Sequence, residues 1–334
     1  MTTIPLKQSP SESWQQILSG AVRDAGELCR LLDIDRQALP RDHPLLAKFP
    51  VRVPLPWLAR IKKGDPQDPL LLQVFPAMAE TQEIPGYSLD PLEEARSNPL
   101  PGVLHKYRGR ALLLLTSACA IHCRYCFRRH FPYQDNQPGR EHWQESLDYI
   151  RRDASITEVI FSGGDPLTLP DNYLEWFYEQ LADIPHVERI RLHTRLPVMI
   201  PQRITPRLCN ILANPRFRTI LVIHSNHAQE FDASVDHACE QLRQSGISLL
   251  NQSVLLKGIN DSAEVLAALS ERLFAAGVLP YYLHLLDKVA GAGHFDVADE
   301  KAQTIMQALR ESLPGYLVPR LVREEPGEGA KTPA

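Results

Sequence analysis

The segment Thr116-Ser-Ala-Cys119-Ala-Ile-His-Cys123-Arg-Tyr-Cys126-Phe-Arg-Arg-His130 places three cysteines on one short stretch of chain. Three thiolates in a C-x3-C-x2-C loop can hold three irons of a [4Fe-4S] cluster and leave the fourth iron without a protein ligand. Such an open iron can bind a small molecule, whereas a fully ligated cluster mainly transfers electrons. Two alternatives stay open on spacing alone. One is a Cys3His zinc site completed by His130, and the other is a set of unligated core cysteines.

The composition is that of an ordinary globular protein. The 334 residues suggest about two domains, and 44% are hydrophobic and 23% charged. A net charge of −4 offers no electrostatic case for a nucleic-acid or anionic-membrane partner. No apolar stretch approaches the roughly 20 residues that a membrane helix needs.

The cysteine usage bears on the cellular compartment. The amino terminus lacks the apolar core of a signal peptide, so we expect a cytoplasmic protein. Thiols stay reduced there, and clustered cysteines then indicate a metal site rather than disulfides. Cys29, Cys209 and Cys239 stand alone in sequence and are interpreted as small buried hydrophobic residues.

Residues 1–104 are predicted to form a helical, loop-rich N-terminal region. Ser9 and Glu12 have the spacing of a capping box at a helix start. Further helices are predicted over Asp24–Leu32 and near Pro56–Lys63.

From Arg110 onward, short apolar runs alternate with amphipathic segments. The runs are Ala111–Thr116, Glu158–Ser162, Arg189–Thr194, Thr219–His224, Ser248–Leu255 and Pro280–Leu285. The amphipathic segments are Arg140–Arg152, Leu174–Leu181, Pro206–Leu212, Ala233–Gln244, Ala263–Ala276 and Asp299–Ser312. Apolar strands that alternate with helices predict a parallel sheet buried on both faces.

Six such units over residues 105–315 predict an α/β fold, a partial (β/α)6 TIM-type barrel that follows the helical N-terminal region. A doubly wound sheet is the alternative. Residues 316–334 form a C-terminal tail.

Polar residues cluster in or directly after each predicted strand. They are the cysteine loop, Ser162–Pro166, His193–Arg195, His224–His227, Asn251 with Gln252, and His284 with Asp287. Because the carboxyl ends of parallel strands meet at one end of a barrel, these residues predict a shared active site.

These motifs resemble a known family. The C-x3-C-x2-C loop after a first strand and Gly163-Gly164-Asp165 after the second are similar to those of radical S-adenosylmethionine enzymes. The similarity over about residues 85–333 is to lysine 2,3-aminomutases. It is carried by Leu104–Arg108, Pro201–Thr205, Asn251–Leu256 and Pro280–Tyr282. The cysteine segment and the chain end resemble the subgroup that makes β-lysine for elongation factor P.

The resemblance implies three cofactors: a [4Fe-4S] cluster on Cys119, Cys123 and Cys126, S-adenosylmethionine, and pyridoxal 5′-phosphate. Gly163 and Gly164 would let the backbone approach the methionyl group, because no Cβ intervenes. Asp165 would pair with its ammonium. A tight strand-to-helix turn is the alternative interpretation of this motif. The cofactor-binding residues implied are Gly163, Gly164, Asp165, His224, Gln252, Lys106, Tyr107, Arg110 and Lys331.

Lys331 matches the family's pyridoxal phosphate lysine, because it precedes Thr332-Pro333 in a Gly-containing segment. Without the resemblance, a lysine this near the chain end would be interpreted as solvated. Lys106, Tyr107 and Arg110 are expected at the start of the first strand, where some of them would hold the cofactor phosphate.

The resemblance also implies how the substrate is held. Asp287 and Glu324 match the positions that bind the ε-ammonium of lysine, although longer family members have Asp at the second position. Arg128 matches the arginine for the substrate α-carboxylate, and its planar fork suits that contact.

The implied activity is that of an isomerase, an intramolecular aminotransferase. It would convert (S)-α-lysine to (R)-β-lysine by a 5′-deoxyadenosyl radical mechanism. The implied partners are lysine, a flavodoxin- or ferredoxin-type one-electron reductant, and the β-lysine ligase acting on elongation factor P. A radical mutase acting on glutamate, one acting on free lysine for catabolism, and a zinc-binding module are the alternatives. Since longer mutases continue past Lys-Thr-Pro into an oligomerising, zinc-binding extension, we expect at most a small homo-oligomer without structural zinc.

Overall fold

The computed structural model describes residues 13–35, 49–132 and 140–334 and contains a nine-stranded sheet. The strands are β1 (Val103–Tyr107), β2 (Arg110–Thr116), β3 (Glu158–Gly163), β4 (Arg189–Thr194), β5 (Arg218–His224), β6 (Ser248–Val254), β7 (Leu279–His284), β8 (Arg320–Arg323) and β9 (Thr332–Pro333). The α-helices in these ranges are α1 (Trp14–Ser19), α2 (Ala25–Leu32), α3 (Leu55–Leu58), α4 (Pro69–Leu72), α5 (Arg140–Arg152), α6 (Asp171–Ala182), α7 (Leu196–Met199), α8 (Pro206–Leu212), α9 (Ala233–Gln244), α10 (Ala263–Ala275) and α11 (Asp299–Ser312).

The spatial order of the strands is their order in the chain. Strands β2 to β8 are parallel, and β1 and β9 add antiparallel edges. A doubly wound sheet reverses its strand order near the middle, so that alternative is wrong. The one-way order with helices between strands is that of an open, partial TIM-type barrel, as predicted.

Local patterns explain why these elements form. Strand β3 is almost continuously buried, and its Phe161 lies in register with Leu113 of β2 and Leu192 of β4. All three side chains are in the main hydrophobic core. Helices begin at side-chain caps, for example Thr205 before α8 and Ser262 before α10.

The predicted strand and helix positions from Arg110 to Ser312 agree with the structure to within a few residues at each end. In the N-terminal region, the helix predicted over Asp24–Leu32 is confirmed as α2, which begins after its cap Asp24. Two other predictions there differ from the structure. The expected cap at Ser9 lies outside the described residues, and α1 begins after Ser13, which forms a capping box with Gln16. The helix predicted near Pro56–Lys63 is wrong in length, since α3 is a single turn.

Two further predictions need correction. Lys106 and Tyr107 do not begin the first parallel strand, because they end β1, which turns at Gly109 and pairs antiparallel with β2. The C-terminal tail is also more than a connection. Its β8 adds a seventh parallel strand beside β7, and β9 folds back on β8.

Across the described ranges, the structure has no helix that is both long and apolar enough to cross a membrane.

Candidate active site

One cavity of about 640 Å³ opens at the carboxyl ends of the parallel strands and extends into the barrel. Every residue to which the sequence assigned a site role lines it. These residues are Lys106, Tyr107, Arg110, Cys119, Cys123, Cys126, Arg128, Gly163, Gly164, Asp165, His224, Gln252, Asp287, Glu324 and Lys331. The structure therefore brings together groups that are up to 225 positions apart in the chain, from Lys106 to Lys331.

The three cysteines lie on the loop after β2 and are free thiols. Burial and the neighbouring thiols Cys126 and Cys123, together with Asp165, raise the pKa of Cys119. Burial raises the pKa of Cys126 to about 12, and Cys123 adds to the effect. Three thiolates so close together need compensating positive charge, which is what bound iron supplies.

The side chains around this loop support an iron–sulfur cluster better than a Cys3His zinc site. Within residues 13–35, 49–132 and 140–334, no three His, Cys, Asp or Glu side chains converge on one metal ion. His130, its expected fourth ligand, instead donates from Nε2 to the Ala290 carbonyl oxygen at 3.0 Å. Each cysteine ligand of a [4Fe-4S] cluster binds a different iron, so a cluster does not require the three sulfurs to meet at one point.

A buried carboxylate, which sequence reasoning missed, braces the cysteine loop. Glu80 accepts from Arg124 Nε at 2.9 Å and Nη2 at 2.5 Å, and from Arg129 Nη2 at 2.8 Å. The Glu80 side chain is 1% exposed and that of Arg124 is 0% exposed. Both arginines flank Cys126, so the N-terminal region fixes the loop through this contact.

Replacing Glu80 with glutamine should destabilise the protein by about 3 kcal/mol, because two buried guanidinium groups lose their counter-charge. Denaturant unfolding and iron content per chain would both report the change. The matched control is Glu175→Gln, since Glu175 forms a 2.9 Å ion pair with Arg207 on the surface. It should cost less than about 1 kcal/mol. Equal effects of the two substitutions would show that Glu80 does not brace the loop.

The Gly-Gly-Asp motif also contacts the cysteine loop directly. Gly163 has φ +121°, and a Cβ there would lie 2.3 Å from the Thr116 carbonyl oxygen. A Cβ at Gly164 would lie 2.3 Å from the Ala118 carbonyl oxygen. In the structure, these glycines permit a close approach to the backbone of the cysteine loop.

Asp165 serves the fold as well as lining the cavity. It accepts from Thr194 Oγ1 at 2.6 Å, from the Arg195 amide at 2.7 Å and from the Leu167 amide at 3.0 Å. Burial raises its pKa against the opposing effect of these hydrogen bonds. The turn interpretation of the motif therefore holds in the structure, and Asp165 joins the ends of β3 and β4.

Arg128 contacts a second carboxylate that sequence reasoning missed. Its Nε and Nη2 donate to the two oxygens of Glu94 at 2.9 and 2.7 Å. Its Nη1 donates to Ser162 Oγ at 3.1 Å. Glu94 lies in a short 3-10 turn of the N-terminal region, and no periodic pattern marks it. The guanidinium fork can hold a carboxylate two-pronged at the cavity wall.

Lys331 is held inside the cavity rather than in solvent, with its side chain 18% exposed. Its Nζ donates to Glu324 Oε2 at 3.2 Å and to His284 Nε2 at 3.2 Å. The other Glu324 oxygen accepts from Lys106 Nζ at 3.2 Å. Burial opposes the charge on Glu324, but the two ammonium groups outweigh it and lower the pKa of Glu324 to about 2.

The other predicted residues fall into small groups around this centre. The Arg110 guanidinium lies 4.6 Å from the centroid of the Tyr107 ring. His224 Nε2 accepts from the Gln252 amide at 2.5 Å, and burial lowers the pKa of His224 to about 3, which keeps it neutral. Burial, with the nearby Glu324 charge, raises the pKa of Asp287 to about 7.

The arrangement has two chemically distinct parts. At the cysteine loop, three thiols can hold an iron–sulfur cluster. At the tail, a lysine amine can bond covalently to a carbonyl cofactor, and Lys106 and Arg110 can hold a phosphate. Both parts open into one cavity, so a substrate there can reach both.

Comparison with known proteins agrees with this geometry. The Radical SAM superfamily profile matches residues 113–269. An L-lysine 2,3-aminomutase from Haemophilus influenzae is 49% identical over 96% of this chain and 95% of its own length. One from Escherichia coli is 49% identical over 100% of this chain and 98% of its own length. A glutamate 2,3-aminomutase from Clostridioides difficile is 35% identical over 96% of this chain and 74% of its own length. The chain therefore belongs to the lysine 2,3-aminomutase family of the radical SAM superfamily, isomerases that use a [4Fe-4S] cluster, S-adenosylmethionine and pyridoxal phosphate.

Proposed function

We propose that this protein converts (S)-α-lysine to (R)-β-lysine and supplies the product for modification of elongation factor P. The observation that carries the proposal is that Lys331 and the three cysteines, Cys119, Cys123 and Cys126, line the same cavity. An amino migration that is started by a radical and carried by pyridoxal phosphate needs both parts within reach of one small substrate.

Each cofactor fits groups of this chain. The three cysteines would hold the cluster, and Lys331 would hold pyridoxal phosphate covalently, with Lys106, Tyr107 and Arg110 near its phosphate. Gly163, Gly164, Asp165, His224 and Gln252 would line the S-adenosylmethionine site. When bound, the cluster and S-adenosylmethionine supply a carbon radical, and pyridoxal phosphate supplies the conjugated system across which nitrogen moves.

The carboxylates support lysine over glutamate as the substrate. Glu324 is ionised, and its present partners are the ammonium groups of Lys331 and Lys106. Asp287 and Glu324 line the same cavity as Lys331, and together they would hold the substrate ε-ammonium while Lys331 holds pyridoxal phosphate. A second substrate carboxylate at this place would be repelled by both groups.

Arg128 would bind the substrate α-carboxylate. Its guanidinium already holds the Glu94 carboxylate two-pronged, which is the geometry that the substrate requires. The substrate carboxylate would therefore take the place of Glu94 on this fork. The tail, anchored by the pairing of β9 with β8, would cover the cavity and exclude water.

The raised pKa of Asp287 predicts a pH dependence. Below about 7 its carboxyl is neutral, and above about 7 it is ionised and can attract the substrate ammonium. We therefore expect kcat/KM for lysine to rise as pH increases through about 7. Asp287→Asn should raise KM at least about tenfold at pH 8 and flatten this profile, because a buried charge pair is lost.

The control is Glu325→Gln. Glu325 is adjacent to Glu324 in the sequence but does not line the cavity. Its profile should match that of the wild type. A pH profile of Asp287→Asn identical to the wild type would remove Asp287 from substrate binding.

The biological role can be tested by reconstitution. We propose a cytoplasmic enzyme that receives electrons from a flavodoxin- or ferredoxin-type reductant and delivers β-lysine to a ligase. Incubating the protein and lysine with that ligase and elongation factor P should increase the mass of elongation factor P by one β-lysyl group. Formation of β-lysine without any such increase would separate the catalytic proposal from the role in elongation factor P modification.

A further inference from the structure

A buried arginine that none of the roles above uses contacts one of the cysteines. Arg195 follows β4 and donates from Nη1 to Cys123 Sγ at 2.8 Å. Its side chain is 8% exposed. Its guanidinium lies 4.8 Å from the centroid of the Trp57 ring. An arginine stays charged at any pH a protein experiences, so a permanent positive charge sits against this sulfur.

A carboxylate on the far side of Arg195 offsets part of that charge. Glu230 has a fully buried side chain and lies 3.3 Å from Arg195 Nη2. It also accepts from the Asn226 amide at 2.9 Å and from Gln73 Nε2 at 3.1 Å. These contacts hold the Glu230 carboxylate in place. Unlike Arg195, Glu230 does not line the cavity.

The order Cys123, Arg195, Glu230 has an electrostatic consequence for a cluster on the cysteine loop. Reduction adds one electron and no proton to the cluster, and the electron comes from an external one-electron donor. A hydrogen bond and positive charge at a ligating sulfur stabilise the more negative, reduced cluster. A negative charge farther away has the opposite effect and acts more weakly.

We propose that Arg195 and Glu230 form a buried pair that sets the reduction potential of the cluster. Arg195 raises the potential through the Cys123 sulfur, and Glu230 limits that increase. Arg195 is thus a positioning and tuning residue rather than a ligand. The inference rests on the proposed binding of the cluster by Cys119, Cys123 and Cys126.

The test is an anaerobic redox titration of reconstituted protein, monitored by the electron paramagnetic resonance signal of the reduced cluster, with iron counted per chain. Arg195→Gln should shift the potential to more negative values, and Glu230→Gln should shift it to more positive values. The double variant should fall between them. Arg195→Lys keeps the charge and should stay near the wild type.

The matched control is Arg203→Gln, which removes another buried arginine. Arg203 pairs with Asp171 at 2.7 Å and donates to the Leu167 and Leu169 carbonyl oxygens, and none of these partners is a cysteine. Its potential should equal that of the wild type even if its stability falls.

Shifts of the same sign in Arg195→Gln and Glu230→Gln, or no shift in either, would overturn the inference. If the Arg195→Gln variant loses iron, its reduction potential cannot be compared, and the Glu230→Gln variant alone tests the proposal. A wild-type reduction potential in Glu230→Gln would then refute the role of the pair. Failure of the proposed function would give a different result from failure of this inference. In that case the wild-type protein itself would lack the cluster signal, or a Cys119→Ala variant would keep its full iron.

Discussion

Lys331→Ala should abolish β-lysine formation, with a loss of at least about 1000-fold in kcat, because the migrating nitrogen depends on a correctly held cofactor. Cleavage of S-adenosylmethionine should persist, since the cysteine loop is unchanged. The structure supports this separation. Lys331 is fixed by Glu324 and His284 at the tail, and the thiols lie on a different loop.

Borohydride treatment gives the direct chemical readout for Lys331. It should fix pyridoxal phosphate to the C-terminal peptide of the wild type and to no peptide of Lys331→Ala. The matched control is Lys288→Ala, which removes an exposed lysine near the cavity and should leave labelling and activity unchanged. Stoichiometric label on Lys288 or Lys257 would show that the cofactor lysine has been misassigned.

Cys119→Ala should lose both iron retention and S-adenosylmethionine cleavage, with activity falling below detection. A cluster with three protein ligands cannot lose one and keep an open iron in the same place. The matched control is Cys209→Ala, because Cys209 is buried on α8 and does not line the cavity. That variant should keep wild-type iron content.

Iron counts and the visible spectrum decide the prediction for Cys119. Full iron content and unaltered cleavage in Cys119→Ala would refute the ligand assignment. A colourless wild-type protein that binds one zinc ion would instead restore the zinc alternative.

The sequence predicted the barrel well because its signals are local. Each parallel strand from β2 to β7 is a short apolar run, and each is followed by a helix with an amphipathic pattern. The position of the cavity followed from topology, since residues after successive parallel strands must meet at one end. The tail strand β8 was missed because Arg320–Arg323 is short, with only two apolar residues between two arginines.

Contacts between distant segments could not be predicted in the same way. Glu80 and Glu94 lie in the N-terminal region, and their partners Arg124 and Arg128 are more than 30 positions later. Nothing in the local pattern marks either glutamate as buried. The contact that requires glycine at position 163 could not be predicted either, because the carbonyl oxygen that a Cβ would meet belongs to Thr116 on another strand.

The most direct test of the central claim is an anaerobic assay of the reconstituted protein. It would be supplied with (S)-α-lysine, S-adenosylmethionine, pyridoxal phosphate and a one-electron reductant, and its products would be resolved by chiral chromatography. We expect (R)-β-lysine from lysine and no β-glutamate from glutamate supplied in its place. Cleavage of S-adenosylmethionine with unchanged lysine, or conversion of glutamate instead, would contradict it.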